Sequence, residues 1–203
     1  MTVLPVPSSP ASVRRRRGPL VLLAVLGVVL IAAGLAWTAF PVAGPAPGVI
    51  GPIPIAAGPP GAEDGVLEVP VSVLDGGSPA VDGLDDALRD ALGQAAAAAA
   101  AEGIEMEVTS GWRSRRYQQQ LQEDAVAVYG SREEASRWVA SPETSAHVTG
   151  RAVDIGPIDA QFWMMQHGAR WGLCQTFANE RWHYELSTSP GGACPAQRMD
   201  AAG

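Results

Sequence analysis

Residues 145–154 read SAHVTGRAVD, and the rest of the chain is read outward from them. His147 is one of only 3 histidines in 203 residues, and Asp154 follows it with Gly150 between. Imidazole and carboxylate are good zinc ligands, and a catalytic zinc keeps three protein ligands and one open position. Gly150 permits a sharp turn, so both ends of the segment can meet at one ion. RAVDIG reads as a short strand on which Ala152 and Asp154 share a face.

The third ligand should be a histidine on a neighbouring element, and NERWHYEL at 179–186 supplies His183. If WHYEL pairs with RAVDI, His183 and Asp154 lie side by side. Each residue alone has a plainer reading: a structural histidine, an aspartate in a turn. Two carboxylates compete for the role of general base. Glu185 shares a strand face with His183. Glu180 would face the opposite way on a continuous strand, so it must reach in from the preceding loop. Spacing leaves both open. His167 stands apart, beside Gly168 at a helix end, where a cation suits the helix dipole.

Elements on either side complete an α+β pattern, with a small, mainly antiparallel sheet flanked by helices. VLEVPVSVL at 66–74 reads as a strand that Pro70 marks as an edge or a break. Residues 84–103 read as an alanine-rich helix stopped by Gly103. IEMEVTS at 104–110 alternates like a strand. Ser114 and Ser131 can cap two further helices, 115–130 and 132–140. DAQFWMMQHGARWG is helical, and LCQTF and WHYEL are strands. Trp138, Trp163 and Trp171 read as core. Trp112 and Trp182 fit either packing or a groove wall. Arg113 follows a strand end, where loops carry function, although a surface ion pair is its plainer reading.

The charge is unevenly spread. The first 62 residues hold four arginines and no acid, while the remainder holds ten arginines against all 21 acidic residues. Such an acidic domain is a poor partner for nucleic acid. RRRR at 14–17 precedes an uncharged apolar run at 18–40, long enough to cross a ~30 Å bilayer core. This is read as an uncleaved signal anchor with the C-terminal part exported. A cleaved signal peptide is the rival, though its apolar stretch is usually only ~7–15 residues. The expected organisation is a basic cytoplasmic segment at 1–17, the anchor at 18–40, a Pro/Gly/Ala-rich spacer at 41–62 and the domain at 63–203. The 2 cysteines, Cys174 and Cys194, fall on the exported side and are expected to form a disulfide. Free thiols and metal ligation are the alternatives.

The motifs also resemble a known family. SAHVTGRAVD fits the S-x-H-x-x-G-x-A-x-D pattern of VanY-type D-alanyl-D-alanine carboxypeptidases, related to VanX dipeptidases and phage L-alanyl-D-glutamate endopeptidases. ERWH at 180–183 fits the family's E-x-W-H, and SGWRS at 110–114 resembles its S-G-Y-R-S. The resemblance covers roughly 104–186. It implies one zinc ion on His147, Asp154 and His183, with Glu180 rather than Glu185 as general base. It implies Arg113 in contact with the scissile carbonyl or the substrate, and Ser145 and Gln118 as substrate-binding residues that help hold its peptide or carboxylate. The departures are Arg181, where proline is frequent, and Glu185, where some members have arginine. The implied function is a zinc D,D-carboxypeptidase that trims the terminal D-alanine of peptidoglycan stem peptides; with the anchor at 18–40 it is expected to be extracytoplasmic and membrane-attached, and a monomer is expected. An endopeptidase of the same fold and a non-catalytic wall-binding domain are the alternatives.

Overall fold

The computed structural model describes residues 58–202. The expected anchor at 18–40 and most of the spacer lie outside the described residues. The sheet grows outward from RAVDIG, whose residues Ala152–Gly156 form β3 and are all buried. The other strands are β1 (Val71–Ser72), β2 (Glu107–Ser110), β4 (Leu173–Gln175) and β5 (His183–Leu186), in the order β1-β2-β3-β5-β4. Every adjacent pair is antiparallel. The register of β3 on β5 places Asp154 opposite His183.

Helices α1 (Pro79–Asp82), α2 (Asp86–Ala101), α3 (Arg115–Tyr129), α4 (Arg132–Ser136) and α5 (Ile158–His167) complete the unit. In α2, Leu88, Ala91, Leu92, Ala95, Ala96 and Ala99 are buried at helical spacing. They join Val108, Val153, Ile155, Trp163 and Tyr184 in one core. Because strand side chains alternate, this core takes Val153, Ile155 and Tyr184 and leaves Asp154, His183 and Glu185 for the opposite face.

Several elements are shorter than the sequence suggests. The strand expected over 66–74 is only two residues long, and Val69 is exposed. Pro70 cannot donate to a ladder, which confines β1 to the sheet edge. The helix expected to reach residue 140 stops at Ser136. Trp138 therefore lies in a turn, exposed and stacked on Tyr129, rather than in the core. Trp163 is buried as expected, with Trp171 stacked on it. The caps at Ser114 and Ser131 form, each accepting from a backbone N–H one turn on.

Buried Asp64 ties the first described residues to α3. Its carboxylate accepts from Gly61 N at 3.1 Å and Ser114 Oγ at 2.7 Å, and pairs with Arg116. The Ser114 hydroxyl, then Arg116 and the Gly61 amide, hold this carboxyl at about 2. A folded-state value below the unfolded ~3.9 stabilises above that pH and is lost as pH falls toward 2. Asp64→Asn should lower the melting temperature at neutral pH. It should also fall less steeply than the wild type between about pH 4 and pH 2. Thermal melts across that range test this, and parallel slopes would count against it.

Candidate active site

His147 lies in a one-turn 3-10 segment, Ala146–Thr149, that closes on Gly150 with φ +68°. A Cβ at Gly150 would stand 2.3 Å from Gly83 O, and Gly150 O accepts from Asp85 N at 2.8 Å. Asp85 is the N-cap of α2, so this glycine docks the His147 turn against the start of the main core helix. Gly150→Ala should cost about 1–3 kcal/mol from the left-handed conformation alone. It should also weaken metal binding by displacing the turn. Chemical denaturation and metal titration check both.

The turn, β3 and β5 bring three ligand atoms together. His147 Nε2 lies 3.4 Å from Asp154 Oδ1, His183 Nδ1 lies 3.3 Å from the same oxygen, and the two nitrogens are 3.3 Å apart. Donors held ~2.0–2.1 Å from a zinc at tetrahedral angles lie ~3.3 Å from one another. The three residues are all buried.

Outer contacts set which ring nitrogens face inward. His147 Nδ1 is 2.8 Å from the Gly111 carbonyl, which can only accept, so Nε2 presents its lone pair to the cluster. His183 Nε2 is 3.1 Å from Glu185 Oε1, which turns Nδ1 inward. Asp154 Oδ1 and Glu180 Oε1 are buried without a hydrogen-bond partner among the described residues. A cation between the two inward lone pairs and Asp154 Oδ1 would satisfy that oxygen and leave Glu180 Oε1 beside it.

The charges respond to one another. Burial disfavours the charged form of His183, but the Asp154 carboxylate beside it and its contact with Glu185 prevail and raise it to about 9. His147 is lowered by burial and by Arg113. Burial works against the Asp154 carboxylate, yet the two histidines and Arg113 hold it well below the usual range. Burial pushes Glu180 up to about 7. A metal would replace the proton on His183, so its binding should release protons.

These groups open on a cleft of about 340 Å³ that Ser145, Trp138, Trp182 and Phe177 also line. Arg113 donates to Asp154 Oδ2 at 2.8 Å, Ser110 Oγ at 2.8 Å and Gln118 Oε1 at 3.1 Å. Gln118 donates one amide N–H to Ala140 O at 2.8 Å, and it also lines the cleft. Ser145 is buried beside His147, and its hydroxyl caps nothing. Glu180 does reach in from the loop before β5, with Oε2 3.7 Å from His183 Nδ1. Trp112 packs against Gly83, and the cleft takes Trp182 instead. His167 ends α5 against Trp163, outside the cleft.

Sequence reasoning missed Arg198, a cleft residue beyond every motif. The available signal was the cysteine pair. Cys174 and Cys194 form a disulfide, which returns the C-terminal segment to β4 beside the site.

A family model for VanY, D-alanyl-D-alanine carboxypeptidase, matches residues 82–189. A D-alanyl-D-alanine carboxypeptidase of Enterococcus faecalis is 31% identical over 112 residues, covering 43% of this chain and 42% of that protein. The match thus spans less than half of that relative's length. Among solved structures, VanYB in complex with D-alanine-D-alanine has 28% identity and a TM-score of 0.48, over 50% of this chain and 70% of the other. A vancomycin resistance D,D-pentapeptidase VanY in complex with Zn(II) has 26% identity and a TM-score of 0.49, over 63% and 82%.

Proposed function

The chain belongs to the VanY D-alanyl-D-alanine carboxypeptidase family, and from that premise we propose that it is a zinc-dependent D,D-carboxypeptidase removing the terminal D-alanine of peptidoglycan stem peptides. One observation carries the reading. Three buried ligand atoms stand at zinc spacing beside a buried carboxylate, Glu180, whose Oε1 has no hydrogen-bond partner among the described residues.

His147, Asp154 and His183 would hold the metal, a donor set suited to zinc. Zinc so bound would supply a Lewis acid that lowers the pKa of water to about 7 and polarises a carbonyl. Glu180, held near neutrality, takes the proton of the attacking water and returns it to the leaving amine nitrogen. Arg113 places positive charge at the edge of the same cleft, where it favours the developing oxyanion. Gln118 orients Arg113, and the Ser145 hydroxyl is available to the substrate's peptide group.

Glu185 holds His183 in its inward-facing tautomer. Loss of such an outer partner typically costs ~10–100-fold in metal affinity. Glu185→Ala should fall in that range by chelator competition; an unchanged affinity would remove Glu185 from the site.

The apolar run at 18–40 would anchor the chain in the membrane and the 41–62 segment would space the domain from it, placing the site among extracytoplasmic wall peptides. The test is mass spectrometry of pentapeptide muropeptides incubated with the full-length protein in detergent, with zinc and with a chelator. Loss of one terminal alanine only with metal is expected. An internal metal-dependent cut would make it an endopeptidase, and unchanged substrate from metal-loaded protein would overturn the enzyme reading.

A further inference from the structure

The cleft is lined by three carboxylates, Asp154, Glu180 and Glu185, and two guanidinium groups, Arg113 and Arg198. A substrate cut at its last peptide bond carries a free carboxylate about one residue, ~3.8 Å, beyond the reacting carbonyl. That anion needs a cation. Arg113 is less free to supply it: three of its five N–H donors serve Ser110, Gln118 and Asp154, and its side chain is only 14% exposed.

Arg198 differs on each point. Its side chain is 51% exposed, and its approach to Glu185 Oε1 is 3.9 Å, longer than a hydrogen bond. Its guanidinium lies over the Phe177 ring, 4.5 Å from the centroid, and that ring in turn packs on His183. Such a cation–π contact holds the guanidinium against the ring without using its N–H donors. Glu185 stands between Arg198 and His183, so Arg198 sits one side chain away from the proposed metal ligands.

The segment that carries Arg198 is firmly held. Arg198 N donates to Thr176 O at 2.9 Å and its carbonyl accepts from Ala178 N at 2.8 Å. Asp200 pairs with Arg137 at 2.8 Å, and the Cys174–Cys194 disulfide pins the segment upstream. All of these survive loss of the Arg198 side chain.

We infer that Arg198, presented by the disulfide-pinned C-terminal segment, is the specificity-determining residue that binds the substrate's terminal carboxylate and so restricts the site to removal of a carboxy-terminal residue. The inference rests on the proposed carboxypeptidase reading and adds the group that reads the end of the peptide. A planar guanidinium suits a two-pronged contact with a carboxylate.

The experiment uses the full-length chain carrying Glu180→Gln and loaded with zinc. Two probes are compared by calorimetry: a stem pentapeptide ending in D-alanyl-D-alanine with a free carboxylate, and the same peptide amidated. The free acid should bind about 10–100-fold more tightly, the range of a hydrogen bond to a charged group. Adding Arg198→Ala should remove that advantage while leaving the amide's affinity and the zinc content unchanged, and Arg198→Lys should restore part of it. Cys174→Ser with Cys194→Ser should weaken acid binding through the same residue, with little further loss when combined with Arg198→Ala. A preference for the acid that survives Arg198→Ala overturns the inference, as does equal binding of both probes. The cleavage assay on the unsubstituted chain reports separately whether the carboxypeptidase reading stands. If neither probe binds and nothing is cleaved, both fall.

Discussion

Replacing Glu180 with glutamine should lower turnover of a stem pentapeptide by about 10²–10⁴-fold, the usual worth of a positioned general base, and should leave bound zinc at the wild-type level. Glutamine keeps the shape of the side chain but cannot take a proton. Glu180 lies outside the three-atom cluster, so metal affinity has little reason to change. Stability moves in a direction of its own. Burial raises Glu180 from 4.5 to about 7, so the metal-free folded state holds a proton that the unfolded chain releases across that interval. Its contribution is present below pH 4.5 and is lost as pH rises through 7. The glutamine variant lacks this loss and should melt no lower than the wild type at pH 8, both without metal. Turnover within a factor of two of wild type would remove Glu180 from the mechanism.

Asp154→Ala acts on metal and fold together. It deletes a proposed ligand, so zinc affinity should fall by more than the ~10–100-fold expected when only an outer partner is lost. It also deletes the carboxylate that faces Arg113 at 2.8 Å and the inward nitrogens of both histidines. Removing one partner of a buried pair costs about 3–5 kcal/mol, because the charge left behind stays buried. The metal-free variant should therefore be markedly less stable than the metal-free wild type, unlike Glu180→Gln. Calorimetric unfolding with and without zinc separates the two losses. A variant that keeps zinc and turnover would dismantle the proposed centre, whatever its stability.

Asp154 also shows why so much of the site was legible. Strand alternation predicts its face, and pairing of WHYEL with RAVDI then leaves His183 one position to occupy. The register observed is the one those two local rules give. The contest between Glu180 and Glu185 could not be settled that way, because it turns on where β5 begins. The strand starts at His183, so both carboxylates reach the same imidazole from opposite sides, Glu185 at Nε2 and Glu180 at Nδ1. Trp138 was misread because the helix carrying it ends at Ser136, and an aromatic residue in a turn has no obligatory face. The Asp64–Arg116 clasp and Arg198 follow no periodicity. The first joins residues 52 apart in the chain, and Arg198 reaches the cleft only because the C-terminal segment is tied back to β4 and to Thr176 and Ala178.

The disulfide divides the cleft by redox state. All three proposed metal ligands precede Cys194 in the chain, while Arg198 and Asp200 follow it. His147, Asp154, Glu180 and His183 are held by the His147 turn, β3, β5 and the loop before β5, none of which contains a cysteine. A reduced molecule should therefore keep its proposed hydrolytic groups together while the wall that carries Arg198 loses its covalent fastening.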